Sequence, residues 1–118
     1  MCGFSAYYGK MPNGFIKDGF SARYRGPDNS QFKEVNDNVG LLFHRLAIVG
    51  VGRSGDQPLN VGNVWLACNG EIYNHEKLFE DHGFTNSSGS DCEIIIHLYR
   101  RYGMKDALKM LDGVFAFF

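Results

Sequence analysis

Cys2 is the first residue with chemistry to offer. It follows Met1 directly and is small enough for that methionine to be trimmed, which would leave a free α-amino group on the residue that carries the thiol. Such an amine titrates near about 7.7–8.0, so it is partly neutral at cellular pH and can take the thiol proton. Nucleophile and base then share one residue. Alone, the pattern fits a small side chain in a strand better. Other positions change that balance. Asn69 and Gly70 follow the apolar run Val64-Trp65-Leu66-Ala67-Cys68. Splitting an amide builds an oxyanion, and an Asn side chain with a glycine N–H at a strand-end turn supplies the fixed donors it needs. A plain Asn-Gly turn fits the same two residues. Arg45, in Phe43-His44-Arg45-Leu46-Ala47-Ile48, lies between apolar strand candidates and needs an anion or solvent. A substrate α-carboxylate suits its bidentate fork, and an edge arginine reaching water fits the pattern equally. Asp91 stands at the first turn of an expected helix, where its charge suits the helix dipole. It would also serve as counter-charge for an α-ammonium group, a role Glu71 can share. Arg45 and Asp91 together would recognise a free amino acid whose side-chain amide is offered to Cys2.

These residues need elements to hold them. Gly3 to Tyr8 reads as a strand. Ile16, Phe20 and Tyr24 recur at helical spacing, a stripe weakened by Gly19. Arg25-Gly26-Pro27-Asp28 is a turn. Val39 to Phe43 and Leu46 to Val51 are strand candidates, and residues 30–38 and 52–58 are loops. Gly62-Asn63 enters a hairpin into the Val64–Cys68 strand, with Asn69-Gly70 as the turn after it. Asn74 caps a short helix that ends at Gly83. Ser90-Asp91-Cys92-Glu93 is a capping box, with Ser90 at the N-cap and Glu93 at N3. Ile94, Ile95, Leu98 and Tyr102 form the apolar face behind it, and Gly103 is the stop. Lys105 to Leu111 is a last helix before a strand at Val114. Strands, then helices, then a strand again predict an α+β fold with a mostly antiparallel sheet.

Composition excludes several classes. The chain has 118 residues, enough for one domain or part of one, with 12 basic and 13 acidic side chains. That balance gives no electrostatic reason for a nucleic acid or anionic membrane partner. No apolar run nears the roughly 18 residues of a membrane span, and no secretory leader is evident. Cys2, Cys68 and Cys92 form neither a disulfide framework nor a metal set, so free thiols in a reducing, cytoplasmic setting are expected, with no metal. His44, His75, His82 and His97 read as structural or surface residues, and Phe4, Phe20, Trp65, Phe115 and Phe117 as core. The final run Val114-Phe115-Ala116-Phe117-Phe118 reads as a buried strand that should continue or pair, so a fragment or a truncated gene is expected.

Six segments appear in order: Met1-Cys2-Gly3, Arg25-Gly26-Pro27-Asp28, His44-Arg45-Leu46-Ala47-Ile48, Asn69-Gly70-Glu71-Ile72-Tyr73-Asn74, Ser88-Gly89-Ser90-Asp91-Cys92-Glu93 and Leu111-Asp112-Gly113-Val114-Phe115-Ala116-Phe117. Together they resemble the glutaminase domain of glutamine-hydrolysing asparagine synthetases, a class II glutamine amidotransferase. The likeness runs along the whole chain. The resemblance implies an N-terminal-nucleophile (Ntn) hydrolase fold, an αββα sandwich of antiparallel sheets, of which residues 1–118 would be the front part. It implies Cys2 as nucleophile toward L-glutamine, with Asn69 and Gly70 as the oxyanion hole. Arg45, Glu71 and Asp91 would hold the glutamine backbone groups, helped by the main chain at Ile48 and Val49. It further implies that ammonia passes to a synthetase domain, absent from this chain, which uses ATP and magnesium to convert aspartate to asparagine. A homodimer of that full-length enzyme is consistent with the resemblance. The family often has His before Arg-Gly-Pro-Asp where this chain has Tyr24, read as a packing change. Two other readings stay open: an amidotransferase with a different ammonia acceptor, and a non-catalytic remnant.

Overall fold

Val39–Arg45 (β3) is the most completely buried strand among the described residues, and it becomes the centre of the first sheet. The computed structural model describes residues 2–48 and 52–118. In the first sheet β3 lies between Gly3–Tyr8 (β1) and Asn29–Asn36 (β2), antiparallel to both, with Gly3 opposite His44 and Asn29 opposite Arg45. The register brings the chain start beside the end of β3, so Cys2 and Arg45 become neighbours. Because strand side chains alternate, Leu41 and Phe43 share one face and Leu42 and His44 the other. Leu41 and Phe43 pack with Ala67, flanked by Phe4, Ala6, Val35 and Trp65. On the opposite face His44 is fully buried, its Nε2 3.0 Å from the Gly19 carbonyl at the end of a short helix, Phe15–Gly19 (α1).

Two further antiparallel pairs complete the strands. Leu59–Val61 (β4) and Val64–Leu66 (β5) form the expected hairpin about Gly62, whose φ of 62° is readily reached only without a Cβ. Cys68–Ile72 (β6) pairs with Gly113–Phe117 (β7). Between them lie His75–His82 (α2), Glu93–Tyr102 (α3) and Met104–Met110 (α4). The buried face of α3 (Ile94, Ile95, Ile96 and Leu98) packs with Cys68, Ile72, Leu78, Phe79 and Ala107 in the main core. Burying each of these aliphatic side chains contributes about 1.5–3 kcal/mol. The fold is therefore α+β with antiparallel sheets, as the order of elements predicts. Among the described residues no helix is long and apolar enough to cross a membrane.

Several expectations need correction. Asn69-Gly70 is not a turn but lies inside β6. A tertiary partner about 45 residues away in sequence overrides the local turn preference. Gly70 is a glycine because β7 approaches closely: a Cβ there would sit 2.3 Å from the Val114 carbonyl oxygen. Residues 30–38, assigned to a loop, instead fall largely in the edge strand Asn29–Asn36, whose exposed polar positions hide the alternation. The Leu46 to Val51 strand is not formed at Leu46–Ile48, where the chain leaves the sheet, and residues 49–51 lie outside the described residues. The Ile16–Phe20–Tyr24 stripe splits into α1 and a 3-10 segment at Phe20–Arg25, and Phe20, expected in the core, is 40% exposed.

The capping box is also absent in its expected form. The α3 helix starts at Glu93, after i→i+3 bonds from Glu93, Ile94 and Ile95 to Ser90, Asp91 and Cys92. The Ser90 hydroxyl accepts the Cys92 N–H at 3.3 Å. The Glu93 carboxylate turns away from Ser90. It accepts the N–H groups of Ser87 and Ser88 at 3.0 and 2.7 Å and the Ser87 hydroxyl at 2.9 Å, and its Oε1 lies 3.0 Å from His97 Nε2. It fastens the preceding loop instead of its own helix cap.

Candidate active site

Cys2 sits half-buried where β1 meets the end of β3. Its Sγ lies 3.3 Å from the Leu46 N–H, which donates to it, and 3.5 Å from the Leu46 carbonyl. The Cys2 carbonyl accepts Arg25 Nε at 3.2 Å. Gly26, the next residue, presses against the end of β3, where a Cβ would lie 2.1 Å from the His44 carbonyl oxygen. Asp28 completes the brace: its N–H donates to the Arg45 carbonyl at 3.0 Å, and its Oδ2 accepts the Ala47 N–H at 2.8 Å. The segment read as a plain turn thus holds both Cys2 and the strand end that carries Arg45.

Cys2, Arg45, Ile48, Asn69, Gly70, Glu71 and Asp91 all line one cavity of about 310 Å³. Seven of the eight site positions expected from the sequence meet there; the eighth, Val49, lies outside the described residues. A volume of this order suits a small molecule. Arg45 is almost fully buried. Its guanidinium donates to the Gly52 carbonyl at 2.8 Å and to Asp56 Oδ1 at 2.6 Å. Sequence reading missed Asp56, which holds the guanidinium in place at the cavity wall. Glu71 is exposed at the rim, and so are the apolar Ile48, Tyr73 and Val114.

The β6 wall can be read from its ladder. Ala67 and Phe118 exchange both backbone hydrogen bonds, and at the other end the Tyr73 N–H donates to the Asp112 carbonyl. In an antiparallel pair such bonded positions alternate with positions whose N–H and C=O point outward. With Cys68 opposite Phe117, Gly70 opposite Phe115 and Ile72 opposite Gly113, the backbone groups of Cys68, Gly70 and Ile72 point away from β7. Gln57 Oε1 accepts the Cys68 N–H at 2.6 Å, and Asp91 Oδ2 accepts the Ile72 N–H at 2.7 Å. The Gly70 N–H between them has no acceptor among the described residues.

Asn69 adds a second unsatisfied group, since its Oδ1 is buried without a hydrogen-bond partner among the described residues. Half a turn of the amide exchanges that oxygen for the NH₂ group, so the side chain can offer either polarity to a ligand. Asp91 keeps Oδ1 beyond its bond to Ile72. Cys68 and Cys92 also line the cavity. A hydrogen bond shared with Cys68, together with burial, pushes the Cys92 thiol far above its usual range, which keeps it protonated. Among the described residues no His, Cys, Asp and Glu cluster is arranged to hold a metal ion.

Comparison with known proteins points the same way. The glutamine amidotransferase domain model matches residues 1–118. The chain is 41% identical over 124 residues to the glutamine-hydrolysing asparagine synthetase of Gallus gallus and 40% identical over 124 residues to that of Homo sapiens. Each alignment covers 99% of this chain and 22% of the relative, so the chain spans about a fifth of the length of these curated relatives.

Proposed function

The chain belongs to the glutamine amidotransferase domain family, and on that premise we propose that its cavity hydrolyses L-glutamine through Cys2. The observation that carries the reading is the convergence of Cys2, Arg45, Asn69, Gly70 and Asp91 on one cavity. Once Met1 is trimmed, the α-amine of Cys2 takes the thiol proton and the sulfur attacks the side-chain amide carbon. The Gly70 N–H and the Asn69 NH₂ hold the oxyanion, a contribution of about 3–4 kcal/mol per donor where such donors have been removed. Collapse of the tetrahedral intermediate expels ammonia, which carries off the proton held by the amine. Water then cleaves the thioester to give glutamate. Arg45 takes the substrate α-carboxylate. Asp91 and Glu71 take the α-ammonium, with the main chain at Ile48 and Val49 completing the grip.

The layering supports the N-terminal-nucleophile sandwich as the parent fold: α1 lies on one face of the first sheet, Ala67 of the β5–β6 connection packs on the other, and α2 to α4 lie beyond. In the whole protein the ammonia serves a synthetase domain that joins it to aspartate with ATP and magnesium, in a reducing, cytoplasmic setting. The relatives, named as glutamine-hydrolysing asparagine synthetases, support glutamine as the nitrogen source and asparagine as the product. The experiment is steady-state glutamate release by the full-length protein. Glutamine hydrolysis that disappears in Cys2→Ala is expected. No glutamate release from the wild type would overturn the reading in favour of a non-catalytic role, and glutamate release without asparagine formation would assign another acceptor.

A further inference from the structure

Gln57 is buried, lines the cavity, and takes no part in the proposed bond-breaking steps. Its amide spans one residue of β6 from both sides. Oε1 accepts the Cys68 N–H at 2.6 Å, and Nε2 donates to the Cys68 carbonyl at 3.0 Å. Those are the two backbone groups that the β6–β7 ladder turns outward at Cys68. A side-chain amide here replaces the peptide group of a neighbouring strand.

The anchored residue, Cys68, immediately precedes Asn69 and Gly70. The outward groups along this edge of β6 belong to Cys68, Gly70 and Ile72. Gln57 holds the first and Asp91 the third, leaving the Gly70 N–H exposed to the cavity between two anchored neighbours. An oxyanion donor acts only if it is aimed before charge develops, and a misplacement of about 1 Å far from the reacting atoms can lower a rate by about 10²-fold. We propose that Gln57 is a positioning residue that fixes β6 so that the Gly70 N–H and the Asn69 amide meet the oxyanion. This role rests on the glutaminase reading of the cavity.

The role predicts a kinetic signature. Substrate recognition falls to Arg45 and Asp91 on the glutaminase reading, whereas both bonds of the Gln57 amide go to Cys68 and so bear on the donors that act on the transition state. In the full-length protein, Gln57→Leu should lower kcat for glutamine hydrolysis by about 10²-fold while KM moves by less than about threefold. The affinity for a γ-aldehyde analogue of glutamine should fall by a similar factor. Its carbon bonds to the Cys2 sulfur and its oxygen takes the oxyanion position, so it reports on the donors directly. Glutamine binding to Cys2→Ala/Gln57→Leu should match binding to Cys2→Ala.

Gln57→Glu gives a second test if the leucine variant fails to fold. Its carboxylate still accepts the Cys68 N–H but cannot donate to the Cys68 carbonyl until it takes a proton. Its kcat relative to wild type should therefore recover as pH falls. A folded Gln57→Leu variant with wild-type kcat and aldehyde affinity would overturn the proposal. So would a loss confined to KM, or a Gln57→Glu ratio that is flat with pH. An inactive wild type would instead overturn the glutaminase reading, so the two failures are distinguishable.

Discussion

At the scale of the residue, the proposed glutamine hydrolysis separates groups that bind from groups that act on the transition state. Asn69→Ala should lower kcat by about 10²-fold or more with little change in KM, as for an oxyanion donor. Arg45→Ala should mainly raise KM, because it removes the partner of the substrate carboxylate. Losing one member of a desolvated charge pair costs about 2–5 kcal/mol. Asp56 is then left without the guanidinium it faces, so this variant should also melt earlier. Asp91 calls for a finer choice of substitution. Alanine removes both the charge and the acceptor of the Ile72 N–H, whereas Asp91→Asn keeps an acceptor oxygen. Asp91→Asn should therefore raise KM with kcat largely kept, and Asp91→Ala should lose both. Steady-state kinetics on the full-length protein separates these outcomes.

At the scale of the element, two braces are open to test. The Arg25–Asp28 segment leans on the end of β3 through Gly26. Gly26→Ala would place a methyl within 2.1 Å of the His44 carbonyl oxygen, so backbone must move. A loss of stability of about 1–3 kcal/mol or more is expected, read by denaturant titration. The second brace is Glu93. Burial alone would raise its carboxyl, but hydrogen bonds from Ser88, His97 and Ser87 outweigh that and hold it down at about 2. Its ordinary value is 4.5, so the folded state holds the charged form more tightly than the unfolded chain does. The stabilisation is complete above about pH 5 and is lost as pH falls toward about 2, a change on the order of 2–3 kcal/mol. Unfolding free energy measured from pH 6 to 3 should fall more steeply in wild type than in Glu93→Gln.

Much of this layout was legible in the sequence because it is locally encoded. The apolar run of β3, the Gly62 hairpin, the face of α3 and the Gly83 and Gly103 stops all depend on residues close together in the chain. The misses are tertiary. An Asn-Gly pair signals a turn unless a distant strand claims it, as β7 does. Strand β2 is polar because it lies at an edge. Nothing local marks Gln57 or Leu46, whose roles exist only once β6 and Cys2 are brought beside them. A single exchange of side-chain amide for backbone partner has no periodicity to detect. Glu93 shows the converse: a correct pattern at the right spacing, with the carboxylate drawn elsewhere by Ser87, Ser88 and His97.

At the scale of the whole molecule, the cavity is assembled from segments far apart in sequence: the chain start, the end of β3, the Asp56–Gln57 loop, β6 and the turn before α3. Its integrity depends on the sheets staying in register. Among the described residues β6 and β7 pair only with each other, and Val114 and Phe118 are 64% and 48% exposed. Two-stranded sheets are marginal, and exposed apolar edges recruit other chains. A polypeptide of these 118 residues should elute from size-exclusion chromatography as species whose size grows with concentration, and should release negligible glutamate. A monodisperse, cooperatively melting and active monomer would show that these sheets need no further support.

On the proposed reading, Cys2, freed of Met1, attacks glutamine. Peptide mass spectrometry on full-length protein, acid-quenched during glutamine turnover, tests it most directly. An N-terminal peptide that begins at Cys2 and carries a γ-glutamyl group on its sulfur is expected, absent when glutamine is omitted. An active protein whose N-terminal peptide retains Met1, or whose Cys2 stays unmodified throughout turnover while Cys2→Ala still releases glutamate, would contradict it.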